Sequence, residues 1–496
     1  MIYPIITAQE AAASIQNGET VGIGGFSSVG TPKAVPAALA EYAESLHKEG
    51  KEFKIGLITG GATGNQVDSA LAKAHAVTFR TPFQSNKDMR NAINDKEIKY
   101  FDLHLSQIGQ DVRYGFLGDI DTAIVEVSEI TPDGRLIPST SVGISPTLVK
   151  VARKVIVELN AAHTGRLNGM HDIFIPATPP YRTELPIYHV NDRVGSISME
   201  VDPKKVIGVV MTNERDQIAP FTPLNDTTRQ IGLNVANFLE REWSRGAIPK
   251  EFLPLQSGVG NIANAVLGAL GNEKKLPAFS MFTEVIQNSV IDLMLQGRIN
   301  YVAGSSLTLS DDKLDTLYEH IGDLKERVIL RPQETTNHPE IIRRLGIIAV
   351  NTALEADIFG NVNSTHVLGC KMMNGIGGSG DFARNAYLSI FTTPSTAKGG
   401  LISSIVPQVS HVDSTEHDVR IIATEQGVAD LRGKCPYDRA RCIIENCAHP
   451  DYKQLLWDYL KLSEGKSCHT PMSLQNAFKM HIAFAETGDM RNTRFE

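Results

Sequence analysis

The sequence predicts an α/β protein with largely parallel sheets and covering helices. Short strand patterns alternate with helical patterns along the whole chain, and the strand patterns are continuously apolar rather than alternating. Glycine-rich turns follow several of these strands. Continuous apolar strands are typical of parallel sheets that are covered on both faces. At roughly 150 residues per domain, 496 residues suffice for two large domains, which we predict over residues 1–225 and 226–496.

The first half of the chain opens with a strand over residues 20–25, a glycine-rich turn over 24–30, and a helix from Pro32. Proline is well suited to the first turn of a helix, where no backbone N–H is needed. The same order recurs, and further strands are predicted over residues 53–59, 122–127, 155–159 and 206–210.

The second half begins with an amphipathic helix near Asp226, which Gly246 and Pro249 end. This change of pattern sets the predicted domain boundary at residue 225. Strands are then predicted over residues 302–304, 347–350, 356–359 and 419–424.

Composition excludes several classes of protein. Hydrophobic residues make up 42 % of the chain and charged residues 21 %, which is the balance of a packed globular protein. The net charge is -8 and no long basic cluster is present, so we expect no nucleic-acid partner. No run reaches the roughly 18 apolar residues that a membrane helix needs, and the N-terminal residues carry no secretion signal pattern.

The five cysteines form no C-x-x-C pair, so the sequence predicts neither a zinc site nor another metal site. Free thiols in a reducing compartment are expected, and the predicted location is cytoplasmic.

A glycine segment over residues 375–380 matches the G-x-G-x-x-G pattern of dinucleotide sites. Such sites also need a preceding strand and an acidic residue about 20 positions further on, which holds the ribose. No acidic residue lies between Asp381 and Asp413, and residues 368–374 form a poor strand pattern. We therefore expect no nicotinamide cofactor, and assign the loop to holding a phosphate or an oxyanion through its backbone amides.

A second glycine segment, residues 256–266, precedes a predicted helix start. Backbone amides at a helix N-terminus can bind an anion or an oxyanion. An ordinary loop before a buried helix is the alternative.

Glu284 is a single carboxylate among apolar residues, in the run 279–286. Such a residue is commonly a surface or capping group. The functional interpretation is an ionised nucleophile, made reactive by the loss of surrounding water.

Together these segments resemble the acetyl-CoA hydrolase/transferase family, within the class I CoA-transferases. The resemblance covers nearly the whole chain and is closest to bacterial enzymes that exchange CoA among succinate, propionate and acetate. It implies two domains of the NagB/RpiA/CoA-transferase type. The matching segments are residues 24–26, 115–121, 256–266, 283–285, 331–340, 374–382 and 424–433.

The resemblance implies that Glu284 forms an acyl anhydride and then a glutamyl-CoA thioester, which only a carboxylate side chain can do. It places the oxyanion donors at Gly378 and at either Val259 or Gly260. It further implies that Asn337 orients the glutamate or the acyl carboxylate, although a turn-forming asparagine is the alternative.

Coenzyme A is then expected as substrate and covalent partner, together with acyl-CoA and short carboxylic acids, in a homodimeric enzyme. The residues to which the resemblance assigns CoA contacts are Val259, Gly260, Asn261, Ile262, Ala263, Leu354, Asn374, Gly378 and Lys398.

Two alternatives remain open. The same site serves an acetyl-CoA hydrolase if water resolves the intermediate, and the fold can also serve a non-catalytic acyl-CoA-binding protein. We favour the transferase because its thioester must be shielded from water.

Overall fold

The computed structural model describes residues 2–218, 223–464 and 466–496. Its strands are β1 Thr20–Ile23, β2 Ile55–Thr59, β3 Val77–Thr81, β4 Lys99–Tyr100, β5 Thr122–Ile130, β6 Leu136–Pro138, β7 Lys154–Asn160, β8 Val206–Thr212, β9 Leu255–Ser257, β10 Phe279–Phe282, β11 Val285–Gln287, β12 Ile299–Gly304, β13 Ser306–Thr308, β14 Val328–Leu330, β15 Ile348–Thr352, β16 Glu355–Asp357, β17 Val362–Asn363, β18 His366–Val367, β19 Lys371–Met372, β20 Leu388–Thr392, β21 Thr396–Ala397, β22 Ile402–Ser403, β23 Ile405–Val406, β24 Ile421–Thr424 and β25 Gly427–Asp430.

The α-helices are α1 Ala8–Ala13, α2 Ala34–Lys48, α3 Ala70–Lys73, α4 Lys87–Asn94, α5 Leu105–Tyr114, α6 Ser145–Val151, α7 Asp226–Ser244, α8 Asn261–Asn272, α9 Asn288–Leu295, α10 Asp311–Glu319, α11 Ile321–Leu324, α12 Gln333–Thr336, α13 Pro339–Leu345, α14 Ser379–Asn385, α15 Pro436–Cys447, α16 Pro450–Lys461 and α17 Lys479–Thr487.

The described residues divide into two compact units. The first contains the described residues up to 218 together with Ser280–Leu345 and Asn374–Asp381. The second contains residues 223–279, Gly346–Met373 and Phe382–Glu496. The division near residue 220 lies close to the predicted boundary at 225, but the first unit also takes two later segments, one of which carries Glu284. The predicted domains, 1–225 and 226–496, stay a prediction.

The first unit is built on a sheet in the order β4-β3-β2-β1-β5-β7-β8, with β6 paired to β5. Every pair along that path is parallel, and β6 alone runs antiparallel to its partner. All five residues of β2 are buried, as expected for a strand with a covered sheet face on each side. The apolar core of this unit includes Val21, Ile23, Leu39 and Leu57.

The later segment of the first unit adds two parallel strand pairs, β12 with β14 and β11 with β13. Helices α12 and α13 follow β14 directly along the chain. This segment carries Glu284, between β10 and β11, and Asn337, at the end of α12.

The second unit contains a sheet in the order β9-β15-β20-β24-β25. Its pairs are parallel except for the last, where β25 turns back beside β24. Its core includes Phe391, Ile422, Ile443 and Leu456. The predicted amphipathic helix is α7, whose Ile231, Val235, Phe238 and Leu239 are all buried.

The predicted strand over residues 356–359 is wrong in extent. The strand β16 ends at Asp357 and belongs to a small sheet with β17 and β23. The Asp357 carboxylate accepts hydrogen bonds from the backbone N–H groups of Phe359, Gly360 and Asn361 at 2.9–3.0 Å. These bonds form a tight turn and end the strand.

Candidate active site

Glu284 lies in a short connection between β10 and β11 in the first unit. Its backbone carbonyl accepts hydrogen bonds from Ser305 N at 2.7 Å and from Ser306 N at 3.1 Å. The neighbouring side chains of Phe282 and Val285 are buried, whereas Glu284 itself is only partly buried. Two hydrogen bonds thus hold the backbone that carries this carboxylate.

Asn337 meets this carboxylate from the end of helix α12. Its Nδ2 donates to Glu284 Oε1 at 2.6 Å, and its Oδ1 accepts from the Thr336 hydroxyl at 2.9 Å. Because an ionised carboxylate only accepts hydrogen bonds, the amide must turn its NH₂ group toward Glu284. Asn337 is thus hydrogen-bonded to the carboxylate that the resemblance implies it orients.

Helix α12 is anchored to α5 through side chains at its start. Glu334 forms two hydrogen bonds with the Arg113 guanidinium, at 2.7 and 2.8 Å, and both side chains are buried. The Gln333 amide donates to the carbonyls of Gly60 and Leu105 at 2.9 and 3.2 Å. These bonds leave the end of α12 little freedom, and so they fix the position of Asn337.

Gly378 lies against the same carboxylate. A β-carbon at this position would overlap Glu284 Oε1 and Cδ, as well as Asn337 Nδ2. Only glycine leaves room for the carboxylate and the amide together. This contact gives a steric reason for the glycine segment that the sequence singled out.

Asp381, in the first turn of α14, is a residue that sequence reasoning did not assign to the site. Its Oδ2 lies 3.3 Å from Asn337 Nδ2 and also accepts from Ser106 N at 2.9 Å. Its Oδ1 accepts from the Ser106 hydroxyl at 2.6 Å. The sequence signal for Asp381 is its position three residues after Gly378. No feature of the sequence points to Ser106.

Burial raises the pKa of Glu284 to about 7. Loss of water around the carboxylate is the main cause, and the nearby charge of Asp381 acts in the same direction. The hydrogen bond from Asn337 favours the ionised form and lowers the pKa, but it only partly offsets the burial. The same desolvation that is expected to make the carboxylate reactive therefore also favours its protonated form.

Of the predicted CoA-contacting residues, Asn374 and Gly378 belong to the first unit. Asn374 is partly exposed, and its Oδ1 is buried without a hydrogen-bond partner among the described residues. An unsatisfied buried acceptor of this kind is available to a ligand donor.

The other predicted CoA-contacting residues belong to the second unit. Gly260, with φ 111°, directly precedes helix α8, which confirms the predicted helix start. Val259 and Leu354 are exposed apolar side chains. Lys398 is exposed in a turn, with its Nζ 5.1 Å from the centre of the Phe484 ring. The remaining members of this set are the α8 residues Asn261, Ile262 and Ala263.

Neither a metal site nor a membrane helix is found in the described parts of the chain. No group of three or more histidine, cysteine or acidic side chains there is arranged to hold a metal ion. None of the helices described is both long enough and apolar enough to cross a membrane.

Comparisons with known proteins match nearly the whole chain. The acetyl-CoA hydrolase/transferase N-terminal domain matches residues 3–211, and the C-terminal domain of the same family matches residues 314–460. The chain is 48 % identical over 485 residues to propanoyl-CoA:succinate CoA transferase of Escherichia coli, covering 98 % of each chain. It is 43 % identical over 505 residues to acetyl-CoA hydrolase of Saccharomyces cerevisiae, covering 99 % of this chain and 95 % of the yeast protein.

Among solved structures, RipA from Yersinia pestis has a similar fold, with a TM-score of 0.71 at 23 % identity. The match covers 92 % of this chain and 97 % of RipA. The predicted α/β fold with largely parallel sheets is confirmed. With family matches in both halves of the chain and relatives aligned along its whole length, this chain belongs to the acetyl-CoA hydrolase/transferase family.

Proposed function

We propose that the protein is an acyl-CoA:carboxylate CoA-transferase that acts on short acids such as succinate, acetate and propionate. The observation that carries the proposal is the Glu284 carboxylate, held by Asn337 and lying against Gly378. The name of the E. coli relative, propanoyl-CoA:succinate CoA transferase, supports propionate and succinate among these acids.

In the first half-reaction, a Glu284 carboxylate oxygen attacks the acyl-CoA carbonyl, and the C–S bond breaks to release CoA thiolate and an acyl-glutamyl anhydride. The thiolate then attacks the Glu284 carbonyl carbon of the anhydride, which forms the glutamyl-CoA thioester and releases the first carboxylate. An acceptor acid repeats these steps in reverse and leaves as the new acyl-CoA. The bonds formed and broken balance without any external acid, base or redox partner.

Each attack produces a tetrahedral oxyanion, which needs hydrogen-bond donors. We assign these donors to the backbone amide of Gly378 and to that of Val259 or Gly260. The closeness of Gly378 to the Glu284 carboxylate supports the first assignment. For the second donor, the backbone amides of Val259 and Gly260 are both candidates.

Asn337 is assigned to the orientation of the nucleophile. Its hydrogen bond to Oε1 favours the ionised carboxylate and sets the rotation of the carboxylate plane. For the bound CoA, we propose contacts with Val259 through Ala263, with Leu354 and Lys398, and with Asn374, whose unsatisfied Oδ1 is the most specific support.

Acetyl-CoA hydrolysis at the same site is the second candidate function, which the 43 % identity to the yeast hydrolase supports. The two functions share the glutamyl-CoA thioester and differ in whether water or a carboxylate resolves it. Release of free CoA from acetyl-CoA, measured with and without added succinate, separates them. A rate of thioester loss that needs no carboxylate acceptor supports the hydrolase.

The thioester intermediate supplies a test of Glu284 itself. With acyl-CoA present and acceptor acid withheld, we expect the glutamyl-CoA thioester to accumulate. On heating, the backbone nitrogen of Glu284 can attack its own activated side-chain carbonyl, and hydrolysis of the resulting imide cuts the chain. The expected fragments are residues 1–283 and 284–496, visible on a denaturing gel.

Three controls accompany the fragmentation test. Hydroxylamine, which consumes the thioester, prevents the cut, and Glu284→Ala shows neither cut nor turnover. Glu251→Ala, which removes an exposed glutamate, leaves both unchanged. Intact chains in a preparation that exchanges CoA would move the nucleophile away from Glu284.

The cytoplasmic location and the homodimeric state remain proposals. All five cysteines are free, which supports a reducing compartment. Sedimentation at several protein concentrations tests the dimer.

A further inference from the structure

A chain of hydrogen bonds leads from Glu284 back to helix α5. The bonds run from Asn337 Nδ2 to Glu284 Oε1 at 2.6 Å, from Asn337 Nδ2 to Asp381 Oδ2 at 3.3 Å, and from Ser106 to both oxygens of Asp381. Asp381 and Ser106 are both buried. All four residues belong to the first unit.

The two carboxylates share one amide group. An asparagine NH₂ has two hydrogens, and here each of its acceptors is a carboxylate oxygen, one from Glu284 and one from Asp381. The Thr336 hydroxyl donates to Asn337 Oδ1. If the amide were turned over, Oδ1 would face two carboxylate oxygens, so only the observed orientation satisfies its hydrogen-bond partners. Asp381 thus stabilises the orientation in which Asn337 faces the nucleophile.

Asp381 is itself held at the N-terminus of α5, a helix of ten residues in which Ser106 lies in the first turn. Backbone N–H groups at this end of a helix favour a negative charge. The serine supplies both its backbone N–H and its hydroxyl, so both oxygens of Asp381 are fixed. The same helix anchors α12 through the Arg113–Glu334 pair.

We propose that Asp381 is a positioning residue for the transfer reaction, which holds the Asn337 amide toward Glu284 and places a second negative charge beside the nucleophile. This inference rests on the proposed function, since Glu284 must be the nucleophile for its orientation to affect the rate. It adds Asp381 and Ser106 to the assigned site.

The two effects of Asp381 can be separated by substitution. In Asp381→Asn, the remaining carbonyl oxygen can still accept from Asn337 and from Ser106 N, while the new NH₂ group faces the Ser106 hydroxyl, which can accept. Orientation is largely kept and the charge is lost. In Asp381→Ala, both the acceptor and the charge are lost.

We expect Asp381→Ala to lower kcat by about 10- to 100-fold, since misplacement of a reacting group by about 1 Å has effects of this size. The KM for acyl-CoA should change much less, because Asp381 acts through Asn337. Asp381→Asn should restore most of the rate lost in the alanine variant. Equal loss in both variants would overturn the positioning role.

The pH profile provides a readout that a purely structural role would not move. Glu284 must be ionised to attack, so kcat/KM rises with pH through its pKa of about 7. The charge of Asp381 raises the pKa of Glu284, burial raises the pKa of Asp381 itself, and the nearby His104 lowers the pKa of Asp381. Asp381→Asn removes a negative charge beside Glu284, so the rising part of the pH profile, its acid limb, should shift to lower pH. An acid limb at the same pH as in the wild type contradicts the proposed charge effect.

A double-mutant cycle tests whether Asp381 acts through Asn337. In the Asn337→Ala background, Asp381→Ala should reduce kcat by less than about threefold, because the amide that it orients is gone. The full single-mutant effect in both backgrounds would overturn the proposal. Ser106→Ala, which keeps the backbone donor, should give a smaller loss than Asp381→Ala and supplies a second variant should the latter fold poorly.

Asp102→Ala is the matched control. Asp102 also holds the glycine segment, because its Oδ2 accepts from Ile376 N at 2.8 Å, but it has no described contact with Asn337 or Glu284. We expect its effect to be additive with Asn337→Ala and to leave the acid limb unmoved. If Glu284→Ala keeps full activity, the proposed function fails; if it is inactive while Asp381 and Asn337 are independent, only the present inference fails.

Discussion

At the scale of single residues, Glu284 combines two opposing demands. A nucleophile gains reactivity when water is removed from it, but the same desolvation favours the protonated form. With a pKa of about 7, the carboxyl is partly ionised at neutral pH, and Asn337 keeps the pKa from rising further. The carboxyl therefore stays partly ionised, and its desolvated charge lowers the stability of the fold.

The stability of the protein should depend on this charge. The pKa of Glu284 is about 7 in the folded state and near 4.5 when unfolded, so the folded state binds the proton more tightly. Stability from this group is therefore present below pH 4.5 and is lost as pH rises through 7, by at most about 3 kcal/mol. Glu284→Gln, which carries no charge, should raise the melting temperature at pH 8 and have little effect at pH 4.

The control for this stability prediction is Glu251→Gln, because Glu251 is exposed. Thermal unfolding is followed at several pH values between 4 and 8. A melting temperature for Glu284→Gln that tracks the wild type across the range means that the carboxylate is not desolvated as described.

At the scale of elements, strand ends and helix starts position the charged groups of the first unit. Glu158, on β7, accepts hydrogen bonds from the backbone N–H groups of Lys33, Ala34 and Val35 at 2.8, 3.2 and 2.6 Å. These groups lie at the start of α2 and have no partner inside the helix. A buried carboxylate therefore replaces the missing acceptors and ties α2 to the sheet, which explains why α2 begins at Ala34 rather than at Pro32.

Replacing this carboxylate should weaken the first unit. In Glu158→Gln one acceptor oxygen becomes an NH₂ group that faces backbone donors, so we expect a loss of about 1–3 kcal/mol of stability at pH 8. Glu41→Gln changes an exposed glutamate on α2 itself and should have almost no effect. Chemical denaturation of both variants measures the difference, and equal midpoints would show that the buried oxygens are not needed as acceptors.

At the scale of the whole molecule, the proposed reaction uses one carboxylate for both acids in turn. The first acid must leave before the second reacts, because the glutamyl-CoA thioester links the two halves of the cycle. The chemistry therefore predicts a kinetic pattern that does not depend on which acids are preferred.

Initial rates at varied acyl-CoA and varied acceptor acid should give parallel double-reciprocal lines. Labelled carboxylate should also exchange into acyl-CoA when no second acid is present, since the first half-reaction is reversible. The inactive Glu284→Ala variant is the blank for the exchange assay. Intersecting lines would indicate that both substrates must be bound before any transfer occurs.

From the sequence alone, the α/β class and most central strands could be predicted, whereas the assignment of the site residues stays a prediction. Strands such as β5 and β7, helix α7 and the glycine-led start of α8 follow from apolar runs, amphipathic spacing and glycine placement, all of which are local. Glu284, Gly378 and Asn337 came from motifs and from a family resemblance. The turn that ends β16 was missed, because it depends on one side chain that binds three backbone groups.

Only the tertiary structure decided what surrounds Glu284. Ser106, Glu284, Asn337 and Asp381 are far apart along the chain, and no local pattern links them. The pKa of Glu284 likewise depends on burial and on the charge of Asp381, which are properties of the folded environment. The reason is physical: periodicity records which face of an element is buried, whereas the partners of a buried polar group are set by contacts between distant segments.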